Sequence, residues 1–104
     1  MKTYTICGSM RFEKEMQEIA CFLETEKGYN ILQCIYTDKN LTENALTRLE
    51  AAHYRKIDLS DGIYVVNLDG YIGTSVAAEI AYAKKLDKEI LYHIESDTIT
   101  VKAL

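Results

Sequence analysis

The sequence predicts a three-layer α/β/α sandwich around a mainly parallel four- to five-stranded sheet, flavodoxin-like or Rossmann-like. Three observations predict it. Short β-branched or aromatic runs alternate with stretches of 3.6-residue period. The periodic stretches are long enough to serve as crossover helices. One run, "GIYVVN", has almost no polar face, as expected of a strand covered on both sides.

"KTYTIC" is the first strand, from about Lys2 to Cys7, and Gly8 ends it. From Phe12 the period changes: Phe12, Met16, Ile19, Ala20, Phe22 and Leu23 make one helical stripe, and Gly28 stops it, which predicts a helix over 12–27. "YNILQCIY" reads as the second strand and "TDKN" as a loop. Thr42 can cap a helix that carries Leu46 and Leu49 and continues through Tyr54 and Ile57 to Leu59. "GIYVVN" is the third strand, a helix from about Ser75 to Leu86 follows, and "EILYHI" is the fourth strand. "DTITVKAL" reads equally as a strand or a short helix.

No proline, linker or repeat marks a boundary, so residues 1–104 are expected to form a single domain that is folded throughout. A chain of this length has little material with which to enclose a deep site alone, so a homodimer or higher homo-oligomer that completes the pocket is expected. The net charge of −4 gives no electrostatic basis for holding polymeric nucleic acid. A small anion remains compatible, because a helix N-terminus and a few backbone N–H groups can bind one. The N-terminal segment does not read as a signal peptide and no run reaches membrane-spanning length, so a cytoplasmic protein without a membrane partner is expected. Cys7, Cys21 and Cys34 lack C-x-x-C spacing, which argues for buried free thiols over a disulfide framework or a zinc site. No cofactor or metal is implied.

In parallel sheets the ligand lies beyond the carboxyl ends of the strands, which directs attention to "CGSMR" and "NLDGYIGTS". In the first, Gly8 admits a close ligand, Ser9 offers a hydroxyl or an ordinary cap, and Arg11 suits a phosphate or carboxylate. In the second, Gly70 and Gly73 flank Tyr71-Ile72, and of Thr74 and Ser75 one can cap the next helix while the other faces a ligand. Neither turn is a Walker or dinucleotide fingerprint. Tyr36 and Tyr71 are candidates to stack on a base, or core residues.

Glu79 is the acid of the following helix. With Thr74 or Ser75 as cap it falls beyond the capping-box position, and position 83 is alanine, so it has no i+4 lysine. It lies about 60° from Val76 at ~100° per residue, beside the apolar stripe rather than opposite it. The dull explanations are weakened, and a functional carboxylate stands beside a solvated one.

"ICGSMRF", "HYRKIDLSDGIYVVN" and "GYIGTSVAAEIAYAKKLDKEILY" together resemble the nucleoside 2-deoxyribosyltransferase-like family, with "CGS-x-R" closest to its deoxynucleoside 5′-monophosphate N-glycosidase branch. The resemblance spans almost the whole chain in order. It implies a nucleoside or nucleotide substrate and a nucleophilic Glu79 that attacks C1′ of the sugar, aided by an N-terminal helix position that keeps it ionised. It also implies that Gly8, Ser9 and Arg11, with Gly73, Thr74 and Ser75, line the sugar or phosphate end. Two positions depart from the family pattern. His53 stands where the family has an aspartate, and Gly73 where some transferases have another. His53 can serve as a proton donor to the leaving base or stand as a surface helix histidine. Hydrolysis, or nucleotide binding without turnover, tolerates these departures better than base exchange does.

Overall fold

The computed structural model describes residues 1–37 and 39–93. In chain order these form β1 (Thr3–Gly8), α1 (Glu13–Glu26), β2 (Asn30–Leu32), α2 (Glu43–Leu59), β3 (Gly62–Val66), α3 (Thr74–Lys85) and β4 (Glu89–Tyr92). Single 3₁₀ turns lie at Met10–Phe12 and Leu68–Gly70. The described residues build a four-stranded, all-parallel sheet in the order β2-β1-β3-β4. The predicted α/β fold class is the observed one. From β1 the chain moves to β2 on one side, then crosses to β3 on the other, so the strand order reverses between β1 and β3. The carboxyl ends of those two strands, paired through Gly8 and Val66 at their last residues, define the crevice where such sheets take ligands.

Strand alternation divides the core into two halves. Tyr4, Ile6, Tyr64 and Val66 point to one face and pack with Ile31 and with Met16, Ile19, Ala20, Phe22 and Leu23 of α1. Cys7, Ile63 and Val65 point to the other and meet Ile57 of α2 with Val76, Ile80 and Ala83 of α3. Every residue of β3 is buried, as its apolar run predicts for a central parallel strand. Thr42 caps α2 by accepting from the Ala45 N–H at 3.1 Å, also as predicted.

The second strand is much shorter than the predicted "YNILQCIY". It lies at the sheet edge and ends at Leu32. The next carbonyl, that of Gln33, accepts a 2.7 Å hydrogen bond from the Lys56 ammonium on α2 instead of continuing the ladder. This carries Cys34 and Ile35 off the sheet and into the wall of a cavity. The fourth strand ends at Tyr92; Ile94, a fifth strand and the undecided "DTITVKAL" lie outside the described residues, as does Asp38 of the predicted loop. No helix among the described residues is long and apolar enough to cross a membrane.

Candidate functional site

The helix α2 is anchored unevenly. Over its 17 residues Ile57, near the C-terminal end, is the buried one. The N-terminal half stands above the carboxyl edge of the sheet, with Leu46 55 % exposed. Beneath it, between α2 and the start of α3, opens a cavity of about 500 Å³. Its lining combines Gly8 and Ser9 after β1, His53 and Lys56 of α2, Tyr71 and Gly73 of the loop after β3, and Thr74, Ser75 and Glu79 of α3. Two sequence-distant turns and two acids, Glu50 and Glu79, thus meet on a single concave surface.

Seven of the eight predicted site residues line this cavity: Gly8, Ser9, His53, Gly73, Thr74, Ser75 and Glu79. Arg11 is the exception. Its guanidinium lies over the Tyr71 ring at 3.7 Å, and Tyr71 in turn meets Phe12 edge to face with ring centroids 6.0 Å apart. The stack ties the loop after β1 to the loop after β3, so Arg11 orders a cavity residue instead of facing the cavity itself. Tyr36 is packed partly against the α1 side of the core and donates to Gln33 Oε1 at 3.2 Å.

The cap of α3 differs from expectation. The N-cap is Gly73, and no side chain caps the helix, so Thr74 and Ser75 occupy its first two positions with both side chains exposed toward the cavity. Gly73 has extended backbone at φ −77° and ψ 174°, which any residue adopts. With Gly73 as cap, Glu79 falls in the second turn, beyond the reach of the helix dipole's first-turn stabilisation of an acid. Ser9 does cap, accepting from the Arg11 N–H at 3.3 Å at the head of the 3₁₀ turn, while also lining the cavity.

What does hold Glu79 is His53. Its Nε2 lies 3.2 Å from Glu79 Oε1, and both side chains are 13 % exposed. The same Nε2 is 3.6 Å from the Cys7 sulfur, whereas Nδ1 is buried without a hydrogen-bond partner among the described residues. His53 is therefore not a surface helix histidine. Cys7 is 1 % exposed, and burial, then the Glu79 charge, pushes its thiol well above the usual range. The thiols as a set are not uniformly buried: Cys34 is half-buried and Cys21 exposed. Cys21 sits on the outer side of α1, among residues whose buried stripe is Met16, Ile19, Ala20, Phe22 and Leu23.

A Cys–His–acid relay would place nucleophile and acid on different imidazole nitrogens. Here both face Nε2, and Cys7 is sealed from solvent, so the three groups do not form a thiol nucleophile with its base. Two nearby aspartates have structural roles: Asp58 accepts from the Tyr82 hydroxyl at 2.6 Å, and Asp61 accepts from the Thr3 N–H at 2.8 Å. Asp69 is a turn former at φ 54°.

Sequence reasoning missed Cys7, Cys34, Met10, Ile35 and Glu50 as parts of this site. Cys7 and Met10 carried a usable signal, since both lie in the "CGSMR" turn at the ligand edge of the sheet. Fold and site together define an α/β/α domain with a small-molecule-sized cavity at the carboxyl edge of its sheet. Comparison with known proteins returns no match, whether with family models, curated proteins or solved structures.

Proposed function

We propose that the protein cleaves the N-glycosidic bond of a nucleoside or nucleoside 5′-monophosphate, or transfers its deoxyribosyl group, with Glu79 as nucleophile. The observation that carries this reading is the position of Glu79: a carboxylate on the wall of a cavity whose opposite turns offer Gly8, Ser9, Thr74 and Ser75. A carboxylate so placed can stabilise an oxocarbenium-like centre and then bond to it, while the hydroxyls and first-turn N–H groups of α3 receive the sugar or phosphate. The Tyr71 ring, backed by Arg11, offers a face on which a base can stack. The likeness to the nucleoside 2-deoxyribosyltransferase-like family supports the same roles.

His53 enters this reading as the neighbour that orients the nucleophile through Nε2; its Nδ1 is buried, so any proton it gives to a leaving base has to come from the Nε2 side. The same contact favours a second reading, a nucleotide-binding module without turnover, in which the Glu79 carboxylate is held by His53 and accepts from a sugar hydroxyl. The exposed apolar side chains that line the cavity, Met10, Ile35, Leu46 and Tyr71, support a homodimer that covers its mouth. Light scattering on the eluted protein measures that directly.

The test is a panel of nucleosides and 5′-monophosphates assayed chromatographically for free base, with Glu79→Ala alongside. One member of the panel is expected to release base with the wild type and not with the variant. Wild-type turnover by Glu79→Ala removes the mechanism. Saturable binding with no base released over hours selects the binding module.

A further inference from the structure

Cys7, His53 and Glu79 bring one sulfur, one nitrogen and one oxygen within 4.8 Å of one another, on three different elements. We propose that these three side chains are a binding site for a borderline divalent cation, zinc by preference, with the fourth coordination position open to the cavity.

The distances carry the argument. With metal bonds of about 2.3 Å to sulfur and about 2.0–2.2 Å to nitrogen and oxygen, a tetrahedral centre holds its S and N donors about 3.5 Å apart and its N and O donors about 3.4 Å apart. The observed separations are 3.6 Å for Cys7 Sγ to His53 Nε2 and 3.2 Å for His53 Nε2 to Glu79 Oε1. The arrangement around Nε2 agrees with this. Sulfur and carboxylate both crowd one imidazole nitrogen, as donors that share a cation must, and the thiol's other contact, to the Thr5 carbonyl, is long at 3.7 Å and can be given up on metal binding. Charge also balances: a thiolate and a carboxylate neutralise a divalent ion in a place that is nearly closed to water. On binding, the Cys7 proton passes to solvent. Cys7 backs the ion from the sheet, while His53 and Glu79 line the cavity, so the fourth position faces it. Three protein ligands and one open position is the pattern of reactive, not structural, zinc.

Coordination through Nε2 leaves the proton on Nδ1, which has no acceptor among the described residues. Loss of such an outer partner weakens metal sites by about 10–100-fold, so the site belongs with exchangeable ions. A bound ion also takes Glu79 away from any sugar, so this site does not rest on the glycosidic reading but competes with it for one carboxylate.

The test is a Co²⁺ titration of the chelator-treated, reduced protein, followed by absorbance and finished by Zn²⁺ competition, with no turnover assay involved. One equivalent is expected to produce a thiolate-to-cobalt band in the near ultraviolet together with visible bands of four-coordinate cobalt, and Zn²⁺ is expected to abolish both. Cys7→Ser is expected to lose the near-ultraviolet band, and Glu79→Gln to weaken Co²⁺ binding by at least about tenfold. Because Cys7 is buried and its replacement can disturb folding, the Cys21→Ser/Cys34→Ser double variant supplies the second arm: it keeps only Cys7 and must retain the band. Absence of the band with excess Co²⁺, its loss in the double variant, or its persistence in a folded Cys7→Ser protein overturns the proposal.

Discussion

The two faces of the sheet are built to different standards. The α1 face is closed: five side chains of one helix bury against Tyr4, Ile6, Tyr64 and Val66. On the other face α2 buries Ile57 and then rises away from the sheet, and the space beneath its N-terminal half is the cavity. The polar groups of that face are correspondingly unusual, with a histidine, an acid and a thiol in mutual contact. Both faces carry a buried cluster, but on the second it does not extend to the N-terminal half of α2, which leaves the incompletely packed space that a binding site between helices requires.

That contrast can be broken by substitutions on each face. Leu23→Ala on α1 removes a 1 % exposed side chain from the closed face and is expected to cost about 2–5 kcal/mol in denaturant unfolding. If it costs no more than a surface change, the closed face is not the source of cohesion that its burial implies, and the cluster on the other face carries the fold. Thr42→Ala removes the α2 cap and is expected to cost about 1 kcal/mol, with the loss concentrated in faster amide exchange over the first turn of α2.

Alkaline pH probes the closed face by its tyrosines. Burial, then the 2.6 Å hydrogen bond to Glu89, holds the Tyr4 phenol above its ordinary value, and burial does the same to Tyr36. A phenol whose folded value is raised contributes stability that is complete below the unfolded value of about 10 and is lost as pH rises through the folded one. The melting temperature is therefore expected to fall above about pH 10, and to fall less steeply in Tyr4→Phe. Equal slopes for the two proteins contradict that assignment. The smallest effect belongs to the open face: Leu46→Ala, at a half-exposed position on the cavity wall, is expected to change stability by less than about 0.5 kcal/mol.

Legibility from sequence followed the same division. Features set by one segment's own pattern were readable: the unbroken apolar run of β3, the stripe of α1, and Thr42 before Ala45. The second strand was over-read because "QCIY" has strand composition, while the chain leaves the ladder at Gln33, whose carbonyl accepts from Lys56, 23 residues further on. Thr74 and Ser75 have the composition of caps, yet the backbone turns at Gly73 and leaves both hydroxyls free. Glu79 could be singled out by elimination within its own helix, but what it touches could not, since His53 is 26 residues away on another helix. Cys7 and His53 are 46 residues apart, a spacing that no local metal pattern contains.

The central claim is that the carboxylate on the open face attacks a sugar. The measurement that tests it most directly follows binding and base release together, on one nucleoside 5′-monophosphate, for the wild type and Glu79→Gln. The account predicts that both proteins bind the nucleotide and that only the wild type frees the base. Base release by Glu79→Gln at the wild-type rate, or saturable binding by the wild type with no base freed, would contradict it.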